Sequence, residues 1–229
     1  MKKIFILGDF VLSSPTHLAT NAALDHSKAY LGIDLETVWI ATDEISKDVL
    51  TAADGFLVAP GSPYRDMESV LFAITYARAN QIPALGTCGG FQHMVIEYAR
   101  NVLGFGSVNH AEYDPDAPDL LIYKLPASLA GKQKTITFTR GSMAAGLQGS
   151  LSAVESYFCS FGVNPGFRAQ LENGPMQFSG KDDEGDMRLL ELPDHPFFFG
   201  TLYVPQAKST LEHPHPVITG FLRAVAGIG

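Results

Sequence analysis

Residues 82–92 read IPALGTCGGFQ, a short apolar run that stops at a cysteine set among glycines. Beyond the cysteine, apolar residues such as Phe91 and Val95 recur at three- and four-residue spacing, which is typical of an amphipathic helix. The apolar run before the cysteine has the length of a buried strand. The sequence therefore predicts that Cys88 lies at the turn between a strand and a helix.

This turn has the form of a nucleophile elbow, G-x-nucleophile-x-G, with cysteine as the nucleophile. Gly86 and Gly90 leave space for a strained backbone at the turn. A helix N-terminus lowers the pKa of a neighbouring thiol, and the N–H of Gly89 could donate to an oxyanion. Cys88 is therefore expected to be a partly exposed thiol with a low pKa. The alternative is that Cys88 is a buried structural cysteine, because free cysteine is among the most buried residue types.

Strands and helices alternate through the first half of the chain. This alternation predicts a three-layer α/β/α fold with a mainly parallel central sheet. Shorter runs after residue 120 predict antiparallel strands that extend or flank the parallel core. The chain, 1–229, is expected to form a single domain. The predicted parallel strands are residues 4–7, 35–40, 55–59 and the run before Cys88.

Three other segments give local predictions. Residues 105–119, which hold prolines and several acidic residues, are expected to form a surface loop that lines the site. A helix is predicted from about residues 13–16 to Leu31, with Leu18, Ala22 and Ala29 facing the core. Residues 181–186 read KDDEGD and are expected to form a solvated turn, because they lack the ligand spacing of a calcium-binding loop.

The composition limits the classes of function. A formal net charge of −8 over 229 residues, without a basic run, argues against binding to nucleic acid or to an anionic membrane. The apolar run after Lys3 is too short for a signal peptide, and no stretch approaches the roughly 18–20 apolar residues of a membrane span. A cytoplasmic location is therefore expected. Two cysteines do not imply a disulfide framework, and no metal or other cofactor is expected.

The stretch 86–104 resembles the nucleophile region of class I glutamine amidotransferases, and in particular that of the glutaminase domain of CTP synthase. The resemblance implies a flavodoxin-like fold and a cysteine nucleophile that attacks an amide. It also implies that this chain is a free-standing counterpart of that domain. Similar segments recur along most of the chain, at residues 21–26, 60–61, 163–165, 191–198 and 214–216.

The resemblance also assigns site residues. Cys88 is the implied nucleophile, and the backbone N–H groups of Gly61 and Gly89 are the implied oxyanion donors. Gln92 and Glu112 match family positions that contact the amide and the amino group of the substrate. A small amide or amino-acid-like substrate is therefore expected.

Three family positions carry different residues in this chain. The histidine and the glutamate that complete the family's catalytic triad correspond to Val204 and Gln206. Valine cannot transfer a proton. The arginine that holds the α-carboxylate of glutamine corresponds to Ser160, so a charge-assisted contact of roughly 1.5–3 kcal/mol is missing.

The oxyanion loop also departs from the family. Residues 60–64 read PGSPY, one residue shorter than the family's loop, and Pro63 has no N–H to donate. If catalysis persists, the base must come from another position, and His17 and His110 are candidates if their loops fold over the crevice. Cys159 could instead act as a resolving thiol for Cys88.

Three functions remain open at this point. The first is a cysteine-dependent amidohydrolase or amidotransferase that acts on an amide or γ-glutamyl-like substrate other than free glutamine. The second is a catalytically silent homologue that binds a ligand or a partner protein. The third is a glutaminase subunit that supplies ammonia to a separate synthetase. The sequence does not decide the oligomeric state.

Overall fold

A computed structural model describes residues 1–228. The strands are β1 (Lys2–Leu7), β2 (Leu35–Ile40), β3 (Gly55–Val58), β4 (Ala84–Thr87), β5 (Asn109–His110), β6 (Leu120–Lys124), β7 (Gln133–Phe138), β8 (Ser152–Ser156), β9 (Phe161–Val163), β10 (Gln177–Lys181), β11 (Met187–Glu191) and β12 (Phe198–Thr201). The helices are α1 (Pro15–Leu31), α2 (Lys47–Leu50), α3 (Met67–Ala79), α4 (Gly89–Asn101), α5 (Met143–Gln148), α6 (Arg168–Leu171) and α7 (Pro216–Ala226). Short 3-10 turns cover Thr42–Glu44, Pro165–Phe167 and Pro205–Lys208.

The central sheet has a parallel half and an antiparallel half. In the part of the chain that the structure describes, its nine strands follow the order β2-β1-β3-β4-β12-β11-β10-β7-β8. The strands from β2 to β12 are parallel, and each later neighbour pairs antiparallel. The predicted mainly parallel sheet with an antiparallel extension is therefore confirmed.

Helices cover both faces of this sheet. A Cβ on Gly90 of α4 would lie 2.2 Å from the carbonyl oxygen of Val58, and one on Gly55 would lie 2.4 Å from Val225 of α7. The two helices thus press against β3 directly, with α3 packed beside α4 and α1 beside α7. The predicted three-layer arrangement is confirmed. None of the helices formed by residues 1–228 combines the length and apolar character needed to cross a membrane.

A second, small sheet positions the loop that follows α4. It has the order β5-β6-β9, and both β6 and β9 contact α4. The sheet carries His110 into the interior, where its side chain is fully buried. The segment 105–119 was expected to be a surface loop that lines the site, and the structure instead anchors its middle in a sheet.

The predicted core face of α1 is wrong. Leu18, Ala22 and Ala29 are exposed, whereas His17, Thr20, Ala23, Leu24 and Ser27 are buried. Three of the buried residues are polar and have hydrogen-bond partners. His17 Nε2 lies 2.8 Å from the Pro60 carbonyl oxygen, Thr20 donates to the Thr16 carbonyl, and Ser27 lies 3.2 Å from the Thr219 hydroxyl. A hydrogen-bonded polar side chain can be buried at little cost, so apolar spacing alone misplaces this face.

The charged turn at residues 181–186 connects β10 and β11, as a hairpin, but it is not solvated throughout. Asp182 is buried and forms ion pairs with Arg188 at 2.7 Å and Lys134 at 3.1 Å. Its carboxylate also accepts backbone N–H bonds from Glu184 and Asp186. Within the described residues, no cluster of histidine, cysteine or acidic side chains has the arrangement of a metal site.

Candidate active site

Cys88 lies at the turn between β4 and α4, in a backbone conformation that few residues adopt. Its φ is 53° and its ψ is −108°. A non-glycine residue at positive φ is strained, and such strain concentrates at functional sites. The flanking glycines are required by packing: a Cβ on Gly86 would lie 2.7 Å from Met94 Sδ and 2.8 Å from the backbone of Gly90.

The thiol of Cys88 is buried, with 7% of the residue exposed, so the expectation of a partly exposed thiol is wrong. Its pKa is nevertheless lowered from the usual value. The main cause is a hydrogen bond from the Cys159 thiol, and the N–H groups of Gly89 and Gly61 add to it, while burial opposes it. Donors that point at a sulfur favour its thiolate.

Cys159 lies between β8 and β9, far from Cys88 in sequence. It is 6% exposed, and both cysteines are free thiols that line the same cavity. The pKa of Cys159 is raised well above its usual value, because its proton is held by the hydrogen bond to Cys88 and because burial disfavours its thiolate. Of the two cysteines, Cys88 is therefore the one with the lower pKa.

The candidate oxyanion loop follows β3. Gly61 has φ 105°, which favours glycine, and a Cβ there would lie 3.1 Å from His17 Nε2. This imidazole holds the loop, because its Nδ1 accepts from the Val11 N–H at 3.0 Å and its Nε2–H donates to the Pro60 carbonyl at 2.8 Å. Pro63 removes one N–H from the loop, yet the N–H of Gly61 still reaches the Cys88 sulfur.

The residues that the resemblance puts at the two remaining triad positions, Val204 and Gln206, are not proton carriers. Val204 is fully buried. Gln206 is also buried, and its Nε2 donates to the hydroxyls of Thr87 at 2.9 Å and Thr20 at 3.3 Å. The neutral side-chain amide of Gln206 thus links β4 to α1 through hydrogen bonds, and it does not orient an imidazole.

The histidines near the cavity have no free lone pair with which to accept a proton. His110 Nδ1 accepts from the Glu112 N–H at 3.0 Å, and its Nε2–H donates to Gln92 Oε1 at 3.0 Å. Burial lowers its pKa to about 3. His93 donates from Nδ1 to the Gly89 carbonyl at 2.7 Å and accepts from the Tyr113 hydroxyl at 2.9 Å. Burial lowers its pKa to about 4.

The cavity above Cys88 has a volume of about 200 Å³ and holds the expected substrate positions. Glu112 has an oxygen, Oε2, that is buried without a hydrogen-bond partner among residues 1–228, and burial raises the pKa of this carboxyl. An ammonium group is the natural partner for such an oxygen. Ser160 contacts the Ser128 hydroxyl at 2.8 Å.

Gln92 lines the same cavity, but its amide is engaged by the protein. Its Oε1 accepts from His110, and its Nε2 donates to the Phe161 carbonyl at 3.0 Å. Sequence reasoning did not identify the remaining lining residues, because neither their type nor their spacing marks them as functional. They are Thr16, Pro60, Ser62, Phe158 and Phe161.

This chain is similar to proteins of one known family. The family model for class I glutamine amidotransferases matches residues 17–224. The chain is 34% identical to the CTP synthase of Methanopyrus kandleri over 243 residues, which covers 99% of this chain and 45% of that protein. It is 36% identical to the CTP synthase of Archaeoglobus fulgidus over 233 residues, which covers 96% and 44%. The chain thus spans less than half the length of these relatives.

The fold also matches a solved structure over the whole chain. The glutaminase domain of the CTP synthase of Trypanosoma brucei, with bound acivicin, superposes with a TM-score of 0.92 at 21% identity, covering 100% of this chain and 95% of that one. At 21% identity, this similarity shows that the two proteins share a fold. The family model and the two CTP synthases show that the chain belongs to the class I glutamine amidotransferase family and resembles the glutaminase domain of CTP synthase.

Proposed function

We propose that this chain is a cysteine-dependent amidohydrolase that acts on an amide or γ-glutamyl-like substrate other than free glutamine. One observation carries the proposal: the thiol at the strained elbow has a lowered pKa and faces two backbone N–H groups, although no histidine activates it. A thiolate formed in this way is a nucleophile without a neighbouring imidazole.

In the proposed reaction, the sulfur of Cys88 attacks the carbonyl carbon of the amide. The N–H groups of Gly61 and Gly89 then stabilise the oxyanion. Cys159 is the candidate proton donor for the departing amine, because its thiol lines the same cavity as the reacting sulfur. Water hydrolyses the thioester, the acid is released, and the proton returns to Cys159.

The residues that line the cavity favour a substrate with an uncharged group at the position of the α-carboxylate of glutamine. Ser160 is neutral, and a buried carboxylate without a partner is costly. Glu112 keeps an unpartnered oxygen, which suits an amino group. A substrate that has the amino group but lacks the free carboxylate therefore fits better than glutamine.

Two other functions have specific support. The fully buried Val204 and the engaged Gln206 favour a silent homologue that binds a ligand or a partner protein. The relatives are CTP synthases of which this chain spans 45% and 44%, and this favours a subunit that supplies ammonia to a separate synthetase.

The test compares glutamine with its α-carboxamide, which differs only at the α-carboxyl group. We expect Cys88-dependent hydrolysis of the side-chain amide to have a higher kcat/KM with the carboxamide, measured by mass spectrometry of the product. Ser160→Arg should shift the preference towards glutamine by about tenfold or more, because a charge-assisted contact is worth roughly 1.5–3 kcal/mol.

Cys88→Ala is the control for both substrates, and a small alkylating reagent checks that Cys88 of the wild-type chain remains reactive. If neither amide is hydrolysed while Cys88 is alkylated, the silent homologue is the better description. Turnover of glutamine in the ordinary range of roughly 1–1,000 per second would instead support the ammonia-supplying subunit.

A further inference from the structure

The two cysteines of this chain meet at one cavity. Cys88 is placed there by the β4–α4 elbow, and Cys159 by the segment between β8 and β9. That segment is held by backbone hydrogen bonds from Leu129 N–H to the Cys159 carbonyl at 3.0 Å and from Leu125 N–H to the Ser160 carbonyl at 2.9 Å. These hydrogen bonds fix the backbone at the Cys159 sulfur's attachment point.

The place next to Cys88 is the one that a triad imidazole would occupy in a hydrolase. The resemblance puts Val204 at the family's histidine position, and its side chain offers no hydrogen-bonding atom. Cys159, whose Sγ lies 3.8 Å from the Leu202 carbonyl oxygen, shares the cavity with Cys88 instead. Cys88, at the strained elbow, therefore has a second thiol in the same buried cavity. This is the arrangement in which a nucleophilic cysteine has a resolving cysteine.

The cavity also restricts which oxidants reach the sulfur. Its volume of about 200 Å³ lies below the roughly 300–1,000 Å³ of pockets for drug-sized ligands. Cys88 is 7% exposed, so a bulky disulfide has little access, whereas a small hydroperoxide can enter. The N–H groups of Gly61 and Gly89, which face the sulfur, can also donate to a peroxide oxygen.

We propose that Cys88 reduces small hydroperoxides and then forms a reversible intramolecular disulfide with Cys159. The Cys88 thiolate attacks one peroxide oxygen, the O–O bond breaks, and the alkoxide or hydroxide leaves and takes a proton. Cys88 becomes a sulfenic acid. The Cys159 sulfur loses its proton and attacks the Cys88 sulfur, and the sulfenic oxygen leaves as water. The two thiols supply the two electrons that reduce the peroxide.

This disulfide removes the nucleophile that the proposed amidohydrolase needs, and an external dithiol restores it by thiol–disulfide exchange. The inference does not depend on that function, because the redox step needs only the two sulfurs. It holds equally for a chain without hydrolase activity.

The test exposes the fully reduced full-length chain to stoichiometric hydrogen peroxide under non-reducing conditions. We expect the intact mass to fall by two hydrogen atoms, a Cys88–Cys159 linked peptide to appear in a digest, and dithiothreitol to reverse both changes. The chain has no third cysteine, so any intramolecular disulfide must join these two residues. Intermolecular disulfides separate from it by size.

Two variants make the outcome decisive. Cys159→Ser keeps a hydrogen-bond donor but cannot resolve, so Cys88 should stop at the sulfenic acid and be captured by dimedone. Cys88→Ser should consume no peroxide. Circular dichroism checks that both variants fold. The proposal is overturned if the wild-type chain and Cys159→Ser give equal dimedone adducts without a linked peptide, or if only intermolecular disulfides form.

Discussion

At the scale of single residues, the lowered pKa of Cys88 depends on an unusual donor. In a triad an imidazolium would stabilise the sulfur anion, whereas here the largest favourable contribution comes from the Cys159 thiol, followed by two backbone N–H groups. Each donor favours the charged form of the sulfur, so removing a donor must raise the pKa of Cys88.

We therefore predict that Cys159→Ala raises the pH midpoint for alkylation of Cys88 by iodoacetamide. Cys159→Ser should raise it less, because a hydroxyl still donates to the sulfur. In the wild-type chain the midpoint of Cys88 should lie below that of Cys159, whose pKa is raised. Identical Cys88 midpoints in all three proteins would show that Cys159 does not stabilise the thiolate.

At the scale of an element, the elbow depends on the contact between α4 and β3. A Cβ on Gly90 would lie 2.2 Å from the Val58 carbonyl oxygen and 2.9 Å from its carbon, which are backbone atoms of a central strand and cannot move easily. The helix α4, which begins at Gly89, would have to shift. The strained φ of Cys88 is maintained by this close packing.

Gly90→Ala should lower the free energy of unfolding by about 1–3 kcal/mol or more, as overpacking does, measured by urea denaturation. The matched control is Gly146→Ala, a helical glycine in α5 with no atom within 4 Å of the added Cβ. That variant should be about 0.4–1 kcal/mol more stable than the wild-type chain. If the two substitutions have the same effect, the packing argument fails.

At the scale of the whole molecule, a buried ion pair connects the antiparallel half of the sheet. Asp182 lies in the β10–β11 turn, Arg188 in β11 and Lys134 in β7. Burial alone would raise the pKa of Asp182, but hydrogen bonds and charge from Arg188, with help from Lys134, leave it lowered. Such a carboxylate stabilises the fold at pH values above its pKa in the unfolded chain. This stabilisation is lost as the pH falls through its lower pKa in the folded chain.

Asp182→Asn should cost about 3 kcal/mol of unfolding free energy at neutral pH, because Arg188 would remain buried without a counter-charge. The difference from the wild-type chain should shrink below roughly pH 4, the unfolded value for aspartate, as the wild-type carboxylate takes up its proton. Urea denaturation at several pH values measures both effects. The exposed neighbour gives the control: Asp183→Asn should change stability by no more than about 0.5 kcal/mol. A pH-independent difference for Asp182→Asn would contradict the assignment.

Features of the site that depend on neighbouring residues could be predicted from the sequence, whereas features that depend on distant residues could not. The elbow at Cys88 could be predicted because glycine spacing and the change from strand to helix pattern are local signals. The partner Cys159 was considered only as an alternative, since its contact joins the elbow to the segment after β8. His17 and His110 were candidate bases by position, and only their hydrogen bonds show that their unprotonated nitrogens are engaged.

The sequence by itself determined the alternation of strands and helices, the parallel half of the sheet and the position of the elbow, because hydrophobic periodicity and glycine act within a few neighbouring residues. The tertiary structure alone decided that β12, from the second half of the chain, pairs in parallel with β4. It also decided that α1 buries His17, Thr20 and Ser27 and that the thiol beside Cys88 is Cys159. These outcomes depend on which distant groups supply hydrogen bonds in the packed interior. The spacing of residues along the sequence does not indicate which groups those are.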